Sequence, residues 1–482
     1  MRNIRLIAVG VGSVLGIVGL LNGAASAQAP AATDPNPPVS NCNVTPDTNA
    51  SAVPPPAKIT ATPIDAALLT SGQPCQQVVS TKGLVDGGPL ANLQRGFDFY
   101  SWLTFIAMNS PADGKPIGQG SRPGGDALTT WEDLNNYRPL ADVMLSHGDK
   151  PTWGTRVVPE LCKKFDGPGK IVFQIGEEAF NQPFKTGPLI DQDGNFALFD
   201  ILMNHPMFDF IADKGLYSKQ GQEKFGDAVE FPLGNNPSGT NPGRMGAIML
   251  KVSYRILDPE GDKTLLSQFH TSDALIYFPG PPATKAGPAC VEKKLALVGF
   301  HVGHKTNFAP QWVWTSFEHV SNVPDAAEVA SGDLLPRYTF FNTGCKKDCP
   351  VVNDTPPQPW DPDTTLKFHG DYRSQVVRTR ILPAPVLMDV ADLNKAFRGI
   401  LKGTVWENYM LLTTQWPSDH ASKTDPLGAP APTYLANTTL ETYSQGRVPL
   451  ASSSCMACHG NATTHHVPAT ASDFTFILEK AQ

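Results

Sequence analysis

The sequence predicts an α+β fold: one large, β-rich domain with a few helices and long Pro/Gly-rich loops. Proline supplies 45 and glycine 42 of the 482 residues. Proline at that frequency disfavours long helices, because it removes a backbone donor and clashes with the preceding turn. Apolar and polar side chains alternate over 245–257, 295–304 and 311–320, with many β-branched residues, which is the period of a half-buried strand. One long stretch, 89–108, instead repeats Leu90, Leu93, Phe97, Tyr100, Trp102, Phe105 and Ile106 near helical spacing and stops at Asn109-Ser110-Pro111.

Taken in order, the chain begins with Arg2 and Arg5, an apolar run from Leu6 to Leu21, and the small-residue pattern Ala25-Ser26-Ala27. This is the layout of an export signal spanning 1–27. The apolar run has 16 residues and four glycines, which is short for a span of about 20 residues. No stable membrane span is expected after cleavage, an uncleaved anchor being the alternative. Residues 28–60, rich in Ala, Pro, Asn and Thr, read as a disordered linker. The large domain is then expected over 61–450, with 451–482 packed on it as a C-terminal segment.

Inside the domain, the aromatic stripe of 89–108 reads as core. The run Asp191-Gln192-Asp193-Gly194-Asn195 alternates acids before a glycine, but no glutamate follows at calcium-loop distance, so a turn is favoured over a calcium site. A strand is expected at 196–203 and a short helix at 208–217. The strands 295–304 and 311–320 are close enough to form a hairpin across Phe308-Ala309-Pro310. Asp389 is placed as the cap of a helix running to about Leu401, followed by a strand over 406–416.

The most informative five residues are Cys455-Met456-Ala457-Cys458-His459. Two thiols three positions apart, with an imidazole directly after the second, are what covalent attachment of c-type haem requires. With 8 Cys and 11 His in the chain, the pattern arises by chance only about 0.003 times. The alternatives are a redox disulfide or half of a zinc site. Cys345 and Cys349 do not supply a matching second pair. The expected cofactor is one covalently attached haem c, held by Cys455 and Cys458 with His459 as the proximal iron ligand. Haem attachment of this kind follows export, so the two ends of the chain agree, and the expected location is the periplasm or beyond.

Only 23 residues follow His459 and none is Met, so a second axial ligand must come from elsewhere. The candidates are His465 and His466, nearby in sequence, and His301, His304 and His319, on the expected hairpin. The hairpin cluster, with Glu318, is also the best candidate for a separate metal, although strand alternation puts His301 and His304 on opposite faces. The remaining cysteines, Cys42, Cys75, Cys162, Cys290, Cys345 and Cys349, allow 15 pairings, and Cys42 with Cys75 is one that would tie down the N-terminal arm.

The formal charge of −7 becomes −9 without the signal, which carries Arg2 and Arg5 and no acid. That disfavours nucleic acid and leaves room for a basic redox partner protein. The segments 99–109 (FYSWLTFIAMN), 311–319 (QWVWTSFEH), 408–417 (NYMLLTTQWP) and 454–460 (SCMACHG) resemble a family of exported bacterial proteins labelled simply as cytochrome c family. The resemblance implies haem binding and carries over Cys455, Cys458 and His459 as functional residues. Two function classes follow: an electron-transfer cytochrome with two protein ligands on iron, or a haem-dependent redox enzyme or gas-binding protein with an open iron site.

Overall fold

The computed structural model describes residues 90–482 except 120, 123–124, 236–242, 282–286, 307–308, 380–381, 383, 418–429 and 446–453. The expected signal 1–27, the linker 28–60, Cys42 and Cys75 lie outside the described residues. In chain order the helices and strands are α1 (Leu90–Asn109), β1 (Ser121–Arg122), β2 (Gly125–Asp126), β3 (Tyr137–Pro139), β4 (Ile171–Gln174), β5 (Leu198–Asn204), α2 (His205–Lys214) and α3 (Lys219–Phe225). They continue with β6 (Ile248–Leu257), α4 (Lys263–Leu266), β7 (Thr271–Phe278), β8 (Ala289–His304), β9 (Val313–His319), α5 (Ala326–Ser331), α6 (Ala384–Ile400), β10 (Tyr409–Pro417), β11 (Pro430–Ala431) and α7 (Cys455–His459).

One mixed sheet dominates, in the order β11-β10-β9-β8-β6-β5-β3, and the described residues fall within a single domain. The long strand β8 pairs along one edge with β6 and along the other with two partners in succession. Ala289 to Ala296 meets β7, and Gly299 to His304 meets β9 in the expected antiparallel hairpin. Where the sheet forks, the Tyr409 hydroxyl donates to the Leu297 carbonyl at 2.9 Å and accepts from the His270 amide at 3.0 Å. β4 adds to β7 in parallel, the exception in an otherwise antiparallel sheet.

A bulge between Leu297 and Gly299 decides which way β8 faces. Before it, Leu295 and Leu297 enter the main core; after it, Phe300 and Val302 do. The extra residue reverses the parity, so His301 turns to the opposite face of the sheet.

Helices α1 and α6 cover the main-core face. The stripe read from the sequence packs as core: Trp102 stacks on Phe397 with centroids 4.9 Å apart, Phe105 on Phe317 at 4.2 Å, and Phe97 on Trp416 at 4.8 Å. Aromatic contacts of this kind add to the burial they accompany. On the other face lie two smaller cores, one built around Trp312, Trp314, Met249 and Met456, the other around Phe199, Val298 and Leu440.

Three boundaries differ from those expected. The helix placed at 208–217 starts earlier, because Asn204 caps it by accepting from the Met207 amide and Gly215, at φ 72°, ends it. Asp389 caps nothing: α6 already begins at Ala384, and Asp389 pairs from within it with Arg95 at 3.0 Å. The strand placed at 406–416 begins at Tyr409, since Val405–Asn408 forms a 3₁₀ turn capped by Thr404.

The loop at Asp191 is a hydrogen-bonded turn, with both Asp191 oxygens near the Asn195 amide group and Asp193 held by Arg255 at 2.5 Å and Arg337 at 2.9 Å. Its acids are already occupied by protein donors.

Among the described residues two disulfides are present, Cys162–Cys290 and Cys345–Cys349. The first joins points 128 residues apart and fastens the start of β8 to the 3₁₀ segment Glu160–Phe165. Replacing Cys162 and Cys290 together with Ala should lower the unfolding free energy by about 2–5 kcal/mol. The same change at Cys345 and Cys349, which closes a loop of only a few residues, should cost less. Urea denaturation of both variants measures the difference.

Candidate haem-attachment site

Helix α7 is a single turn, and its position is fixed by one buried glutamine. The Gln415 side-chain oxygen on β10 accepts from the Met456 amide at 2.9 Å and from the Ser454 hydroxyl at 3.1 Å. Ser454 caps the helix by accepting from the Ala457 amide at 3.3 Å. Met456 is fully buried in the core beneath. With Met456 pointing in, the i, i+3 spacing puts Cys455 and Cys458 side by side, and both are unpaired, partly exposed thiols. Burial pushes both thiols up, Cys458 to about 11, with Glu441 adding to the shift.

The His459 ring lies against Trp314 at 4.6 Å and Phe476 at 5.3 Å. Its Nδ1 is 2.8 Å from the Phe474 carbonyl. A carbonyl can only accept, so Nδ1 carries the proton and the Nε2 lone pair is left available. Burial holds the ring neutral by lowering its pKa to about 4; Lys251 and His301 push the same way and the Phe474 bond opposes them.

The Phe474 carbonyl is itself held in an uncommon conformation. Asp473 and Phe474 have φ of 52° and 63°, in the left-handed region that non-glycine residues seldom occupy. The surroundings enforce it. The Asp473 carboxylate pairs with buried Lys305 at 2.5 Å and accepts from the Phe231 amide at 2.7 Å. Trp312 Nε1 donates to the Asp473 carbonyl at 3.0 Å.

Next to α7, the strand register lays out a polar row. Lys251 of β6 is opposite His301 of β8, and His301 is opposite Ser316 of β9. The preceding row, Met249, Gly303 and Trp314, lies under α7. The following row, Ser253, Gly299 and Glu318, is covered by the segment 437–441. A Cβ on Gly299 would stand 2.2 Å from the Thr439 hydroxyl, so glycine is what lets that segment come so close. Glu441 reaches back from it to within 3.5 Å of His301 Nε2, while Ser316 Oγ is 3.2 Å from the same nitrogen. His301 and Glu441 keep 15% and 21% side-chain exposure, so the row between α7 and the 437–441 segment remains open.

The histidines named from sequence therefore separate. His301 is in the row beside the motif, opposite Lys251 and Ser316. His304 is buried in the main-core side, hydrogen-bonded to the Tyr100 hydroxyl. His319 stacks on Phe269 at 3.8 Å, with its Nε2 3.0 Å from the Gln268 carbonyl. His465 and His466 lie against α3, each ring held by a backbone carbonyl, of Glu479 at 3.0 Å and of Pro468 at 2.7 Å. Glu318 is saturated by Arg378 and Thr438. The separate metal considered for the hairpin is not supported: among the described residues no three His, Cys, Asp or Glu side chains converge as ligands.

The donor set at α7 fits haem c, with two free thiols on one helical turn and a neutral imidazole whose second nitrogen is fixed by a carbonyl. Comparison with protein-family models, with curated proteins and with solved structures finds no match to this chain. Sequence reasoning did not single out Lys251, Glu441, Lys305 or Asp473. Lys251 alone left a trace, a lone cation in the apolar run Ile248-Met249-Leu250-Lys251-Val252.

Asp473→Asn should destabilise the domain by about 3–5 kcal/mol, because it leaves Lys305 buried without its counter-charge. The drop would be read from urea denaturation.

Proposed function

We propose that this chain is an exported mono-haem c-type cytochrome that transfers electrons to or from a redox partner protein. The observation that carries the reading is the His459 ring, whose Nδ1 is committed to the Phe474 carbonyl while Nε2 is free beside two unpaired thiols. Metal-ligating histidines usually donate their other ring N–H to a carbonyl or carboxylate, which fixes the tautomer and ring orientation. When bound, the haem supplies a one-electron iron centre.

The remaining work belongs to the protein. Cys455 and Cys458 tether the cofactor, and Gln415 and Ser454 hold the turn that spaces them. Trp314 and Phe476 cover the imidazole with aromatic rings. The export pattern at 1–27 and two disulfides are compatible with the periplasm, where this attachment is made. The resemblance to exported cytochrome c family proteins points the same way.

A second reading, a haem enzyme or gas-binding protein with an open iron site, is favoured by the polar row of Lys251 and His301 next to the motif. Full-length protein expressed with a haem c maturation system separates the readings. Covalent haem is expected by intact mass and by the pyridine haemochrome spectrum. Cys455→Ser with Cys458→Ser should abolish it, and its absence from the unmutated chain would overturn the proposal. A reduced spectrum that carbon monoxide leaves unchanged means two protein ligands and electron transfer. A prompt shift means an open site and the enzyme or gas-binding reading.

A further inference from the structure

We infer that Lys251 is the anion-holding residue of the haem cleft, receiving either a carboxylate of the cofactor or a small anion bound at the iron. The inference rests on the haem reading above and deepens it. Lys251 pairs across the strands with His301, one row from Met249 and Trp314, which share a core with Met456 of α7, so it borders the space that a group tethered to Cys455 and Cys458 occupies.

The surroundings leave the Lys251 side chain without a fixed polar partner. Among the described residues its ammonium makes neither a hydrogen bond nor an ion pair, and its nearest aromatic contact is the Phe199 ring at 5.5 Å. Glu441 is close enough for its charge to be felt at Lys251, but Glu441 is engaged elsewhere. It lies 3.5 Å from His301 Nε2 and accepts from the Asn437 amide at 2.9 Å. His301 is in turn held by Ser316 at 3.2 Å. The polar groups around Lys251 are thus tied to one another and leave the ammonium over.

An ammonium in that position is tolerable while water reaches it. Burial already lowers its pKa. Once the cleft is filled, the same charge must meet an anion or bear the cost of losing its water. Two anions have the right chemistry, a carboxylate belonging to the porphyrin or a small anion on the sixth iron position, and both would be met by the same ammonium. The neighbouring row makes Lys251 specific to this role. Met249, one row toward α7, is part of the core, and Ser253, one row away, is hydrogen-bonded to Thr439 at 2.6 Å.

The test uses full-length haem-loaded protein as wild type, Lys251→Met, Lys251→Arg and Glu441→Gln. Covalent haem content is measured first; its absence from wild type overturns the haem reading and this inference with it. With haem present, the midpoint potential and the affinity of the ferric protein for azide are read optically. If the anion is the cofactor's carboxylate, Lys251→Met lowers the midpoint, Lys251→Arg retains it, and azide affinity is unchanged. If it is a small iron-bound anion, azide binds wild type and the Lys251→Arg variant, and Lys251→Met weakens that binding at least tenfold. Glu441→Gln, which removes the neighbouring negative charge, should raise the midpoint at pH 8 in either case and reports on the cleft should Lys251→Met not fold. A Lys251→Met protein with full haem content and wild-type midpoint and azide affinity overturns the inference, as does a Glu441→Gln protein with an unchanged midpoint.

Discussion

The bulge in β8 is the constraint on which both the core and the candidate site depend. Leu295 and Leu297 on one side of it and Phe300 and Val302 on the other all enter the same core, which strict alternation would forbid across the odd interval between Leu297 and Phe300. The inserted residue also lies at the fork where β7 gives way to β9. One irregularity therefore splits the sheet, keeps the core continuous and turns His301 toward the face that carries α7. Tyr409 holds the fork by bonding to both arms.

The two faces of the sheet do different work. One is packed by α1 and α6 with interlocking aromatic rings, Trp102 and Phe105 among them fully buried. The other is interrupted: two small cores flank a polar row of Lys251, His301 and Ser316. This second face also carries strain and buried charge. Left-handed backbone at Asp473 and Phe474, the Lys305–Asp473 pair and the Glu318–Arg378 pair all lie on or beside it. Such costs persist where the surroundings over-determine them, and here they fix the carbonyl that orients His459.

Much of the fold was readable because its signals are local. The stripe over 89–108, the alternation of β6, β8 and β9, and the hairpin between the last two depend on residue periodicity alone. The boundaries that moved, at α2, α6 and β10, did so through caps and turns. An Asn204 cap or a Thr404 cap acts on one amide, and propensity over a window averages it away. The disulfides lay beyond the sequence for a different reason, since pairing Cys162 with Cys290 needs two segments 128 residues apart to meet.

For the candidate site the division is sharper. The sequence by itself singled out residues 455–459 as the candidate, because the proposed thioether tethering and iron ligation would demand fixed types at fixed spacing within one helical turn. It also determined that His301 and His304 face opposite ways, because a strand alternates. Only the tertiary structure decided which of five histidines comes to the motif, which nitrogen of His459 is free, and that Lys251 and Glu441 border the same space. Those outcomes depend on the register of β6, β8 and β9, on one bulge, and on a carbonyl from a loop held by Lys305. Register and loop docking are set by contacts between residues far apart in the chain, and no local pattern encodes them.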